Sequence, residues 1–279
     1  MNIHLCPHSD MTHFPLEEVS CLLRQKAKEL IVPRWQQLRD EDIQLKAPGE
    51  WVTAVDREVE EELTFGLCRL VPGSTVIGEE QCATKPQLLD GLGEGIVWLL
   101  DPVDGTRNLV DGMGPVSVMV ALLKEGETLA SWMLNPLTDV MCRAVKGAGA
   151  WVDSRRVAID THAIPKGQGI VRKRFLPEAV KAALESAAGN FVLQPGSNCA
   201  GDDYPGMVLE DHEFALYWRA LPWDHAPGAL FISEAGGVVA RLDGTPYQPG
   251  QQMKGLLAAR SQAIWNTVRS LLPDVCSPP

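Results

Sequence analysis

The run Ile96-Val97-Trp98-Leu99-Leu100-Asp101-Pro102-Val103-Asp104-Gly105-Thr106-Arg107-Asn108 carries two carboxylates three residues apart out of an apolar segment, then follows them with Gly-Thr. Five consecutive apolar residues, Ile96 to Leu100, read as a buried strand. Asp101 and Asp104 therefore leave it at a buried end, where an unpaired carboxylate costs several kcal/mol in desolvation. Asp, Pro and Gly also make ordinary surface turns, but the strand feeding this one favours a bound cation, which removes that cost. Hard dications take oxygen ligands, and magnesium in particular combines a few carboxylates with carbonyls, waters and phosphate oxygens. Asp101, Asp104 and the Val103 carbonyl are candidate ligands. If a helix begins at Gly105-Thr106, its free N–H groups and positive dipole end face the cation, which makes a phosphate pocket, and glycine lets the backbone approach closely.

Upstream, the spacing of apolar residues predicts a helix from Pro15 to Trp35, ended by Pro33. Trp51-Val52-Thr53-Ala54-Val55-Asp56 leads into a second helix, with Val59, Leu63, Leu67 and Leu70 as its apolar stripe and Glu58, Glu60, Glu61 and Glu62 on the wetter face. Asp56 falls in the first turn, where a carboxylate is favoured. There it is placed to accept a proton from a water oriented by the Thr106 hydroxyl. Thr75-Val76-Ile77-Gly78 reads as a strand opening into Glu79-Glu80, either of which could add a cation ligand.

Downstream, Val116 to Leu123 and Thr128 to Leu134 suit an antiparallel hairpin joined by the four residues Lys124 to Glu127. A strand from Val140 to Val145 and a shorter one past Lys146-Gly147-Ala148-Gly149-Ala150-Trp151 follow. A polar, Pro- and Gly-containing stretch from Asp153 to Gly169 marks a boundary. It divides an N-terminal half, 1–160, from a C-terminal half, 161–279, which together form one catalytic unit. The second half reads as a helix from Pro177 to Ala188, a short apolar run at Phe191-Val192-Leu193, an irregular segment from Pro195 to Pro205 and a strand from Glu213 to Trp218. A helix opened by Trp223-Asp224 and closed by Gly236-Gly237 comes next, then a strand from Val238 to Leu242. Asp224, at a helix start, is the candidate that closes the acid cluster.

The 279 residues are 45% apolar, ample for a buried core. No apolar run reaches the roughly 20 residues of a membrane span. The first residues lack the basic leader and apolar core of a secretory signal, so a cytoplasmic site is expected. Seven cysteines without a CxxC pair fit reduced thiols. A net charge of −11 argues against a nucleic-acid polymer as partner. An anionic ligand must then be attracted locally, and a cation caged by carboxylates supplies that attraction. The pieces point to phosphoryl transfer to water.

Together, Val52-Thr53-Ala54-Val55-Asp56, Gly78-Glu79-Glu80, Asp101 to Asn108, Trp223-Asp224-His225-Ala226-Pro227-Gly228 and Glu234-Ala235-Gly236-Gly237, in this order, resemble the inositol monophosphatase family. Lys146 to Trp151 is similar to a further family segment. The resemblance implies an α/β (α+β) fold layered αβαβα, as in inositol monophosphatases and fructose-1,6-bisphosphatases. It also implies phosphomonoesterase activity on a small phosphorylated metabolite with two or three magnesium ions, lithium sensitivity and a homodimer. By motif it makes Glu79, Asp101, Val103, Asp104 and Asp224 metal ligands. Asp56, Thr106 and Glu79 become catalytic, and Gly105, Thr106, Asp104 and Asp224 bind substrate. Lys46 resembles a lysine preceding the Val-Thr-Ala-Val-Asp segment.

The chain departs from the inositol-reading pattern, because seven residues before Asp224 stands Tyr217 where those relatives carry a glutamate. The family's Gly-Ser/Thr-Ala segment matches either Gly196-Ser197-Asn198 or Cys199-Ala200-Gly201. A 3′(2′),5′-bisphosphate nucleotidase is the alternative activity, and a non-catalytic relative that binds metal and ligand is a further one. His225 reads as structural, since magnesium prefers oxygen, and His4, His8 and His13 as a solvated tail. Arg172-Lys173-Arg174 is a solvated face or meets a second phosphate, and Arg107 is a phosphate contact or an ion pair.

Overall fold

In the computed structural model, residues 15–160, 167–187, 189, 191–210, 212–251 and 253–274 are described. His4, His8, His13, Cys6 and Cys276 lie outside them. Helix α1 (Leu16–Lys26) runs on through a π turn and a 3-10 turn to Arg34, with Pro33 in the last of these. An antiparallel ribbon, β1 (Ile43–Ala47) and β2 (Glu50–Thr53), leads into α2 (Ala54–Leu70). Then come β3 (Thr75–Gly78), α3 (Glu79–Thr84), β4 (Ile96–Asp104), α4 (Thr106–Asp111), β5 (Ser117–Lys124), β6 (Glu127–Asn135), β7 (Val140–Val145), β8 (Gly149–Val152) and β9 (Arg155–Val157). Strands β3 to β9 form one seven-stranded sheet in sequence order, antiparallel except for the β3–β4 pair.

Next in the chain are β10 (Gln168–Val171), α5 (Glu178–Ser186), β11 (Val192–Gln194), α6 (Ala200–Leu209), β12 (Phe214–Tyr217), α7 (Pro222–Glu234), β13 (Val238–Arg241), β14 (Leu256–Ala259) and α8 (Gln262–Leu271). Their strands make a five-stranded sheet in the order β11-β10-β12-β14-β13. No helix among the described residues is long and apolar enough to cross a membrane.

The near-continuous apolar runs have a structural reason, because both sheets are covered on both faces. Side chains alternate across a strand. On β5, Val118, Val120 and Leu122 share a core with Val19 and Leu23 of α1 and Leu63 and Leu67 of α2. Met119, on the opposite face, packs with Tyr204 of α6 and Phe231 of α7, and these also meet Ala215 and Leu256 of the second sheet. The second sheet's outer face buries Phe214 and Leu257 against Val180 of α5 and Trp265 of α8. The layers are thus α1/α2, sheet, α6/α7, sheet, α5/α8, the αβαβα sandwich.

Two local expectations are corrected. The β5–β6 hairpin turns on two residues, Glu125 and Gly126, both at positive φ, with Lys124 already paired to Glu127. That backbone matches the twist of the flanking strands better than a wider loop. The segment expected to be irregular up to Pro205 is helical from Ala200, with Pro205 inside α6. Burial of Ala200, Tyr204 and Met207 between the two sheets overrides the weak helix propensity of the sequence.

Candidate active site

The two aspartates of the opening motif reach one place because of an irregularity in β4. Asp101 pairs with Met119 and Asp104 with Ser117, so three steps along β4 match two along β5. Residues three apart on a regular strand face opposite ways. The extra residue, a bulge at Pro102-Val103, turns Asp104 back to the side of Asp101, and Pro102 has no ladder N–H to lose there. Parallel pairing of Gly78 with Leu100 ends β3 beside β4, which sets Glu79 next to Asp101. Asp224 arrives in the first turn of α7 from the middle layer. One oxygen each from Glu79, Asp101 and Asp224 lie within 4.8 Å of one another.

Asp104 stands slightly apart from this trio. Its Oδ2 accepts the Gly201 N–H at 2.7 Å, so α6 holds it by one oxygen. The same arrangement recurs, since Asp101 Oδ1 accepts the Val103 N–H at 3.0 Å and Glu79 Oε1 takes the Lys46 ammonium at 3.0 Å. A donor from the surrounding chain thus orients each of the three carboxylates. Glu80 is not in the trio, and it pairs with Lys46 Nζ at 2.5 Å.

Burial, then the Glu79 charge, pushes Asp101 well above the ordinary carboxylate range. Burial, then the charges of Asp104 and Glu79, does the same to Asp224. Burial lifts Asp104 to about 6 against the pull of Arg172. Burial works to lower the Lys46 ammonium, but the Glu79 and Glu80 carboxylates outweigh it and its pKa is raised. Carboxylates this crowded and this dry accept a cation readily.

Asp56 caps its own helix. Its Oδ2 accepts the Thr53 N–H at 2.8 Å while Thr53 Oγ1 accepts the Val55 N–H, a capping box. Oδ1 lies 2.9 Å from Thr106 Oγ1, which is also 3.0 Å from the Val103 carbonyl. Burial pushes Asp56 up to about 6 against the bonds from Thr53. Glu79, Asp101, Val103, Asp104, Gly105, Thr106 and Asp224 all line one cavity of about 570 Å³. Asp56 does not line it and meets it only through Thr106. Gly105 sits at φ +87°, and a Cβ there would come 3.0 Å from the Pro115 carbonyl. The helix it opens, α4, spans only six residues.

A family model, the inositol monophosphatase family, matches residues 14–272. The chain belongs to that family. It is 27% identical over 237 residues to the Nus factor SuhB of Pasteurella multocida, covering 82% of this chain and 86% of that one. It is 26% identical over 285 residues to an inositol-1-monophosphatase of Mesorhizobium japonicum, covering 96% and 98%. Among solved structures, an IMPase of Thermotoga maritima superposes with a TM-score of 0.77 at 22% identity over 92% of this chain and 95% of that one. An IMPase/NADP phosphatase described with NADP and Ca2+ gives 0.82 at 17% identity over 96% and 99%.

Set in the inositol monophosphatase fold, several residues fall elsewhere than expected. Glu60 is not on the wet face of α2. It is 3% exposed, accepts the N–H groups of Glu80 at 2.8 Å and Gln81 at 2.9 Å, and so caps α3. The signal was its spacing, because Glu60 follows Asp56 by four residues and shares the buried stripe. Tyr217 is walled in by Tyr204 and His225 and does not face the cavity. His225, by contrast, is structural as expected, bonded to Tyr204 and to the Arg219 carbonyl, and burial lowers its pKa to about 3.

The basic cluster is no single solvated face. Arg172 is paired with Asp203 at 3.0 Å, whose other oxygen holds Ser197, and Arg174 bonds the carbonyls of Pro48 and Gly49. Arg107 pairs with Asp111 at 2.6 Å and stacks 5.2 Å over Trp51 at the cavity wall. Sequence reasoning missed Gly201 as the anchor of Asp104, and Arg219 and Phe175 as cavity residues. The match of Cys199-Ala200-Gly201 to the family segment was the signal for Gly201, whereas nothing local marks Arg219 and Phe175, which arrive from the second sheet's side of the chain.

Proposed function

We propose that this chain hydrolyses a small phosphate monoester with water, using magnesium held by Glu79, Asp101, the Val103 carbonyl, Asp104 and Asp224. The meeting of three carboxylate oxygens within 4.8 Å carries the reading. The donors are all oxygens, with no His or Cys among them, which selects a hard dication. When bound, magnesium would neutralise the phosphate, make the attacking water more acidic and stabilise the leaving oxygen.

The chain's own groups do the rest. Thr106 Oγ1, donating to Asp56 Oδ1, has lone pairs free to accept from a water in the cavity. As the water oxygen bonds to phosphorus and the ester P–O bond breaks, the water proton passes to Thr106 Oγ1 and the Thr106 proton to Asp56 Oδ1. Solvent at the open mouth protonates the departing alkoxide. Gly105 and Thr106 offer first-turn N–H groups to the phosphate oxygens. Inhibition by lithium and assembly as a homodimer belong to the same reading.

The test is phosphate release from a phosphomonoester panel during magnesium titration, with Asp101→Asn alongside. Turnover should require magnesium. The substitution should lower it by more than about a hundredfold, since loss of a mere outer-shell partner of a metal ligand costs 10 to 100-fold. Turnover that survives chelation, or magnesium binding with no turnover of any ester, overturns the assignment. The latter result would mark the chain as a ligand-binding relative.

A further inference from the structure

We propose that the substrate carries a second anionic group, phosphate or carboxylate, held by Lys173 and Arg174 on the cavity wall that follows β10. The proposal rests on the hydrolytic reading above and names the class of alcohol that the phosphate esterifies. Its basis is a charge account of the cavity. The acids Glu79, Asp101, Asp104 and Asp224 belong to the cation site. Of the remaining charged lining residues one is acidic, Glu50, and five are basic, Arg107, Arg172, Lys173, Arg174 and Arg219, in a chain whose net charge is −11.

Three of those five are already neutralised. Arg107 is paired with Asp111, Arg172 with Asp203 and Arg219 with Glu50. Arg174 spends two N–H groups on neutral carbonyls at 2.8 Å and keeps its full charge. Lys173 makes no side-chain hydrogen bond or ion pair among the described residues, and it is exposed at the cavity. Two uncompensated positive charges on neighbouring residues therefore face the space into which the alcohol must project.

Arg174 is also fixed in place. Its guanidinium stacks 4.9 Å from the Phe175 ring, which Arg219 approaches at 4.6 Å, so the charge is ordered before any ligand arrives. The cavity, about 570 Å³, has the size of sites that hold whole metabolites, larger than an orthophosphate group needs. No acid takes the place at which the inositol-reading pattern puts its glutamate, because Tyr217 is buried behind Arg172. A neutral polyol leaves the two charges unanswered, whereas an anion answers both.

The experiment compares three esters on one four-carbon chain, in which the far end is a hydroxyl (4-hydroxybutyl phosphate), a second phosphate (butane-1,4-diyl bisphosphate) or a carboxylate (4-phosphooxybutanoate). Turnover by the magnesium-loaded full chain is measured, with calorimetric binding of the same three compounds in parallel. The bisphosphate or the carboxylate should exceed the hydroxyl ester by about tenfold or more in kcat/KM, the worth of one charge-assisted hydrogen bond. The better of the two identifies the anion. Lys173→Ala should collapse that ratio toward one through KM rather than kcat, and Lys173→Arg should keep most of it. Equal affinity for the three esters, or a Lys173→Ala effect that is the same on all three, overturns the second-anion site. Absence of turnover with a preserved binding preference would instead count against hydrolysis alone.

Discussion

At the scale of single residues the decisive contrast is between Asp56 and the aspartates of the motif. All are buried, but Asp56 has its Oδ2 occupied by Thr53 and its Oδ1 turned to Thr106, and it stands behind the cavity wall. That placement suits a proton acceptor better than a metal ligand. Asp56→Asn is expected to lower kcat by roughly 10²–10⁴-fold, the usual worth of general-base catalysis, with a smaller change in the magnesium concentration at half-maximal rate. Thr106→Val should share the loss and Thr106→Ser should recover much of it, because only the hydroxyl relays the proton. With Asp56 at about 6, the acceptor is ionised above that value, so kcat falls as pH drops through about 6. A flat profile between pH 5 and 8 would remove Asp56 from the role.

Among elements, α2 does two jobs with one face. Its apolar stripe buries Leu63 and Leu67 against the first sheet, and the same stripe carries Asp56 and Glu60 inward at its N-terminal half. Glu60 supplies the cap that α3 lacks from its own N-terminal residue, Gly78. A Cβ on Gly78 would meet the Glu60 carboxylate at 2.3 Å, so glycine and glutamate fit as a pair. Because α3 begins with Glu79, its cap also sets a candidate metal ligand. Glu60→Ala should cost about 1–3 kcal/mol in denaturant unfolding by leaving buried N–H groups unpaired, and it should raise the magnesium needed for half-saturation. Glu61→Ala, one residue along and exposed, should stay within about 0.5 kcal/mol. Equal effects at the two sites would mean that Glu60 is as wet as its neighbours.

For the whole molecule, stacking five layers places several carboxyl groups at a dry junction, and that has a cost which depends on pH. Burial lifts Asp56 and Asp104 to about 6 and Glu60 and Glu80 to about 7, with Asp101 and Asp224 raised further. Unfolded carboxyls titrate near about 4, so between there and about 7 the folded chain binds more protons than the unfolded one. The stability these groups lend is full below about 4 and is lost as pH rises through their folded values. Magnesium should therefore raise the melting temperature more at pH 8 than at pH 5, and the difference with and without metal cancels the opposite trend from buried His225. An equal shift at both pH values would contradict the cation site. How far all this could be read in the chain follows the range of the forces involved. Hydrophobic period, the acid pair after a strand and Gly105 before a helix are local and made the elements and the candidate acids legible, while the layered architecture was implied by the family resemblance that the five motifs carry in their order along the chain. The bulge at Pro102-Val103, the burial of Glu60, the helical turn through Pro205 and the sorting of Arg172, Lys173 and Arg174 into paired and unpaired charges were decided only in the fold. Each depends on a partner far along the chain, and neither a residue's own type nor its neighbours in sequence determine how deeply it is buried or which charge it meets.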